Sequence, residues 1–204
     1  MTTGQNPAAA GLAVADPGPL GLAAFAATTF MLSVINTNMV GGSMGAAVLG
    51  LALFYGGAAQ LLAGMWEFVK GNTFGAVAFT SFGAFWLSYW YLADHVLPRL
   101  EGSASDIGHA VGLYLLTWTI FTAFMTVAAA RVSVAVLSVF IVLTVTFLAL
   151  CVGELAAAQT ATRIGGWLGI VTALLAWYAA FAAVVNATYR RTVLPTFPTA
   201  PAAR

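Results

Sequence analysis

Hydrogen-bonding side chains stand in this sequence among neighbours that are almost all apolar. Thr28, Thr29, Ser33, Asn36 and Asn38 fall in one such run, and Gln60 and Glu67 in the next. Lys70, Gly71, Asn72 and Thr73 lead into a third run, which holds Thr80 and Ser81. Thr117, Thr119, Thr122, Thr126, Thr144 and Thr146 follow further along. In apolar helices serine and threonine ordinarily bond back to their own backbone, and amides hold helices together. That accounts for most of the scattered threonines. Gln60, Asn36 and the Glu67–Thr73 cluster point instead to a wet cavity, because an amide buried without partners costs roughly 2–7 kcal/mol. A row of hydroxyls and amides suits a small polar solute that must bind weakly and leave again.

Covalent chemistry has no comparable set of residues. His95 and His109 lie in or beside one polar stretch without a partner at ligand spacing. Cys151 is the single cysteine, set in an apolar run, so neither a disulfide nor a Cys/His metal site follows from it. An intramembrane enzyme needs a positioned nucleophile or acid–base pair, and none is seen. The sequence reads as a non-enzyme with no cofactor or metal, protons as coupling ions excepted.

The elements that position these residues follow from composition. The chain has 204 residues, 61% hydrophobic and 6% charged, whereas a soluble domain carries about 25% charged residues. Its apolar runs are each near the roughly 20 residues that a helix needs to cross a bilayer. The spacing predicts an all-α, polytopic membrane protein with six transmembrane helices, over 20–40, 46–68, 74–93, 109–130, 134–153 and 164–188. The apolar stretch 111–152 is too long for one crossing, and Arg131 breaks it, since a mid-bilayer charge costs roughly 2.5–3.5 kcal/mol. Residues 1–15 read as a disordered tail without the basic segment of a secretory signal, 16–190 as one transport domain, and 191–204 as a C-terminal tail, disordered in its Pro-rich part from Pro195.

An even number of spans puts both termini on one side. Lys70, Arg131, Arg190, Arg191 and Arg204 fall there and only Arg99 and Arg163 opposite, so the positive-inside rule places both termini in the cytoplasm of a cell membrane. Net charge is +1, which gives no reason to expect nucleic acid. Leu20-Gly21-Leu22 and Val111-Gly112-Leu113 open spans one and four, a faint sign of a 3+3 inverted repeat. Asp16 is expected as N-cap of the first span with Pro17 in its first turn. Asp16-Pro17-Gly18-Pro19 and Gly71-Asn72-Thr73 also leave backbone N–H groups at helix starts, which attract carboxylates.

Several stretches together are similar to those of one family. Asp16-Pro17-Gly18-Pro19-Leu20-Gly21-Leu22 resembles its signature Asn-Pro-Ala-Pro-Leu-Gly-Leu. Phe54-Tyr55-Gly56-Gly57-Ala58-Ala59-Gln60 resembles its second helix, and the run from Gly64 to Gly75 the turn that follows. Phe79 to Trp86, Gly112-Leu113-Tyr114 and Gly166-Trp167-Leu168-Gly169 continue the likeness. The chain thus resembles the acetate uptake transporters, the bacterial succinate–acetate permeases and yeast ammonia/acetate exporters. The resemblance implies a homo-hexamer in which each six-helix protomer has its own pore. It also implies an apolar constriction formed here by Phe25, Phe82 and Leu143. Departures from the pattern are Asp16 for Asn, Gly18 for Ala, and Phe82 for Tyr, which leaves the constriction without a hydroxyl.

The expected function is membrane transport of acetate and related short mono- or dicarboxylates, succinate among them, either proton-coupled or channel-like. Thr28, Thr29, Asn36, Tyr55, Gln60, Glu67, Asn72, Thr73, Thr80 and Ser81 are the expected substrate path. The competing readings are a channel for ammonia, formate or water, or a non-transporting membrane scaffold.

Overall fold

A computed structural model describes residues 14–41 and 45–199. The described residues form six long helices, which we label α1 (Gly18–Asn36), α2 (Ala47–Lys70), α3 (Thr73–Tyr91), α4 (Ala104–Ala129), α5 (Val134–Leu155) and α6 (Gln159–Tyr189). Five of them are long and apolar enough to cross a membrane by length and composition. The exception is α3, 19 residues long, whose apolar character is diluted by Thr73, Thr80, Ser81 and Ser88. The chain is an all-helical polytopic membrane protein.

Helix ends depart from expectation where local hydrogen bonds intervene. Pro17, not Asp16, occupies the N-cap of α1, and Asp16 instead accepts from the Gly18 N–H at 3.0 Å. The same helix stops at Asn36 rather than 40 because Thr37 turns its hydroxyl onto the Val34 carbonyl (2.7 Å) and Asn38 is left-handed, φ 64°. Ser103 and Asp106 form a reciprocal capping box, which starts α4 five residues before the expected position. The polar stretch before it is wound into a π turn (Leu92–Val96) and a 3-10 turn (Leu97–Arg99) instead of an open loop. Within α2, Phe54–Ala59 is π-helical, a widening that the sequence pattern did not announce. Gly71, φ 77°, ends α2 in the left-handed conformation that suits glycine.

The expected disorder from Pro195 onward is corrected as far as Thr199. Val134 and Ala135 donate their N–H groups to the Phe197 (2.9 Å) and Thr196 (3.2 Å) carbonyls. The Tyr178 hydroxyl donates to Pro195 O at 2.7 Å, and the Asn186 side chain bonds both Val193 and Leu194. Residues just beyond α6 thus fold back as a strap that satisfies the open N-terminus of α5. Residues 200–204, and nearly all of the expected tail over 1–15, lie outside the described residues.

Each helix packs on its neighbour in sequence except at one seam. Small residues make the contacts close: Gly56 meets Thr28 and Trp86, Gly64 meets Thr80, Gly112 meets Leu155, Gly153 meets Thr162, and Gly166 and Gly169 meet α1 around Ser33. Backbones of α3 and α4 hardly approach one another. Rings fill that seam instead, with centroids of Phe85 and Trp118 at 5.1 Å, Phe85 and Tyr114 at 5.9 Å, and Phe82 and Phe121 at 5.5 Å. The two three-helix halves therefore meet through unlike seams, tight between α1 and α6 and aromatic between α3 and α4.

A Cβ at Gly64 would stand 2.4 Å from the Thr80 backbone nitrogen, whereas one at Gly50 meets open space. Gly64→Ala should therefore destabilise the protein by about 1–3 kcal/mol, read as a lowered Tm in detergent, with Gly50→Ala unchanged. Equal melting of the two variants would show that the α2/α3 contact has slack.

Candidate functional site

Two cavities enter the bundle from opposite ends. The first, about 310 Å³, lies between the C-terminal parts of α1, α3 and α5 and the N-terminal parts of α4 and α6. The second, about 290 Å³, opens at the end that carries the start of α1, the end of α2 and the strap, whose Thr196 and Pro198 line it. Between them is a space of about 20 Å³, close to the room that one water needs. Phe25 and Leu143 line both this waist and the first cavity, while Leu22, Ala78, Phe79 and Phe140 line both the waist and the second. The three spaces are thus consecutive along one path.

Aromatic rings set the waist. Phe82 stands 5.6 Å from Phe25 and 6.0 Å from Phe140, centroid to centroid, and Phe25, Phe82 and Leu143 are all buried. Phe82 is further braced from the α3/α4 seam by Trp118 and Phe121. Gln60 is the one polar residue lining the waist, and its Oε1 has no hydrogen-bond partner among the described residues. Its position in the first turn after the π-helical segment Phe54–Ala59 shows what that segment does locally: a π turn shifts the register of all that follows.

The two mouths differ in charge. Among the described residues Glu154 is the only carboxylate of the first cavity, beside Tyr89, Tyr114, Asn36, Thr29 and Ser33, and no cation lines it. In the second, Lys70 Nζ sits 2.7 Å from Asp16 and 4.0 Å from Glu67. Asn72 donates to Glu67 at 2.8 Å and accepts from the Gly75 N–H at 3.2 Å, so the start of α3 is capped by its own side chain. Gly75 has no room for a Cβ against Glu67 and Asn72.

The structure sorts the expected path residues. Thr29 and Asn36 line the first cavity, Gln60 the waist, and Glu67 and Asn72 the second cavity, together with Asp16, Gly18, Pro19 and Leu22 of the signature stretch. The remaining five line none of these spaces. Thr28 bonds the Ala24 carbonyl at 2.9 Å and packs on Gly56. Thr80 packs on Gly64, Thr73 is exposed, and Tyr55 and Ser81 are half-buried elsewhere. Sequence reasoning missed Glu154, Tyr89 and Thr196 as lining residues. Glu154 lies just past the expected span 134–153, and the helix runs two residues further than hydropathy indicates.

Comparison with known proteins agrees with this architecture. Residues 3–200 match the GPR1/FUN34/yaaH family. The chain is 44% identical over 178 residues to Accumulation of dyads protein 2 of Saccharomyces cerevisiae, covering 84% of this chain and 62% of that protein. It therefore spans less than two thirds of that yeast relative. It is 37% identical over 182 residues to the succinate-acetate/proton symporter SatP of Escherichia coli, covering 89% of this chain and 95% of that one. The solved structure of the bacterial acetate channel SatP superimposes with a TM-score of 0.80 at 36% identity, over 90% of this chain and 99% of the other. The chain belongs to the GPR1/FUN34/yaaH family of membrane proteins.

Proposed function

We propose that this chain is a membrane pore for acetate and related short carboxylic acids, succinate included, and performs no chemistry on them. The observation that carries the reading is the pair of cavities meeting at an apolar waist inside one protomer. Phe25, Phe82 and Leu143 act as the gate. A waist this small passes a two-carbon solute only when its rings swing aside. Hydroxyls and amides in the vestibules offer weak contacts that a solute can leave. The names of the bacterial relatives, an acetate channel and a succinate-acetate/proton symporter, support the same solute class.

Protons are the proposed coupling ions. An unpaired carboxylate is costly in an apolar constriction, and a carboxyl that titrates near about 4.3 gives more neutral acid as pH falls. Both termini face the cytoplasm on the positive-inside argument, with Lys70, Arg131, Arg190 and Arg191 at that end. In the proposed homo-hexamer the stripe of Leu113, Ile120, Phe124 and Val127 on α4, each more than 60% exposed, is available for burial between protomers.

Radiolabelled acetate uptake into proteoliposomes, with and without an inward proton gradient, tests the proposal. Accumulation above equilibrium only with the gradient establishes coupled transport, equilibration alone a channel, and no flux above protein-free vesicles refutes the pore. Phe82→Ala should raise acetate flux roughly tenfold, the effect of about 1.4 kcal/mol on a barrier, and admit longer acids. Because Phe→Ala in a core costs about 3–5 kcal/mol, Phe82→Leu is the companion variant. Unchanged flux and solute range in a folded Phe82 variant would remove that ring from the gate.

A further inference from the structure

Gln60 places the only hydrogen-bonding side chain at the narrowest point of the path. It is 1% exposed, and its Oε1 is unpartnered. The lining around it is Phe25, Phe82, Leu143 and other apolar residues. A primary amide presents a donor and an acceptor side by side, so it is satisfied only by a solute that returns both. A carboxylate accepts and cannot donate. An undissociated carboxylic acid does both, its O–H donating to the amide oxygen while its carbonyl accepts from the amide N–H. Whichever way the amide is turned, this pairing is available to the neutral acid and closed to the anion.

Charge along the path points the same way. No titratable side chain lines the waist. Glu154, Tyr89 and Tyr114 are the titratable groups of the first cavity, and Asp16, Glu67 and Lys70 those of the second. Lys70 is engaged by both of its carboxylate neighbours. Counting the described lining residues with ionised carboxylates, each cavity carries one net negative charge, so its lining offers an anion no free countercharge.

Resting on the reading of the chain as an acetate pore, we infer that Gln60 selects uncharged planar solutes carrying an adjacent donor and acceptor, so that the pore also passes small primary amides. Acetamide has the shape of acetic acid, with an N–H in place of the acid O–H, and it remains neutral at every working pH. It meets the amide in the same two-bond pairing.

Proteoliposomes of the full chain, corrected for protein-free vesicles, provide the test with labelled acetamide and labelled acetate at pH 8 and 5.5. Acetamide should enter at the same rate at both values. Acetate should enter far faster at pH 5.5, following a neutral fraction that rises roughly 300-fold for a carboxyl near 4.3. Gln60→Met, similar in volume and without hydrogen-bonding groups, should lower both fluxes tenfold or more. It removes a buried amide oxygen that has no partner, so its Tm should not fall. Exclusion of acetamide by the wild-type protein overturns the inference. If acetate then enters equally fast at both pH values, the waist takes the anion and the acetate pore itself stands. Wild-type rates in Gln60→Met remove Gln60 as the selecting group. Absence of acetate flux at both pH values refutes the pore and this inference with it.

Discussion

Hydrocarbon supplies no hydrogen bonds, and the arrangement of polar groups throughout this protein follows from that deficit. Threonines inside the helices turn back on their own backbones: Thr119 to Leu115, Thr122 to Trp118, Thr146 to Val142 and Thr172 to Leu168, all within 2.9 Å. Helix starts are closed by side chains, Asn72 for α3, Ser103 for α4 and Ser133 for α5. Against that background the few buried polar atoms without partners stand out. Thr29 Oγ1, Gln60 Oε1 and Trp86 Nε1 are among them, and all three residues line the path. Buried polar groups are ordinarily paired, so each such atom beside a cavity is a group to be accounted for.

Close packing is what keeps the path narrow. Glycine and small hydroxyl residues bring α1 against α2 and α6, and α2 against α3, so that little space is left off the axis. The α3/α4 seam is the exception, and there rings take the place of backbone contact. Phe82 belongs to both regions, since it forms the waist with Phe25 and packs on Trp118 and Phe121 behind it. A ring held by other rings moves by rotation against flat neighbours, which is easier than displacing a helix backbone. The waist and the α3/α4 seam therefore share the Phe82 ring.

Membrane class, span number and the break at Arg131 were legible because they rest on composition and on the cost of a buried charge, both properties of single positions. Phe25, Phe82 and Leu143, expected from family resemblance alone, line the waist, whereas nothing in the local pattern separates Phe82 from Phe85, which lies outside it. Path residues were half legible. Thr29, Asn36, Gln60, Glu67 and Asn72 reach the cavities, whereas Thr28 and Thr80, of the same chemistry and in the same helices, face glycines on neighbouring helices. That distinction depends on which face each helix turns inward. On α2 the face is reset by the π-helical segment, for which hydropathy gives no signal. The strap was illegible because a Pro-rich composition describes the absence of helix, and says nothing of the Val134 and Ala135 N–H groups waiting at the start of α5.

In the second cavity a lysine is held by neighbouring carboxylates and is not left free. An unpaired ammonium there would attract a small anion strongly. Lys70 is instead held 2.7 Å from Asp16 and 4.0 Å from Glu67, and Glu67 also accepts from Asn72. The backbone builds this arrangement directly: Gly71 turns the chain so that Asn72 reaches back to the last turn of α2, and Gly18 donates to Asp16 at the start of α1. The signature stretch before α1 and the turn between α2 and α3, distant in sequence, are thus one electrostatic unit. Within that unit the Lys70 charge is balanced by its own neighbours. Beyond this unit lies the narrow apolar waist, where Gln60 is the one polar side chain among the described residues.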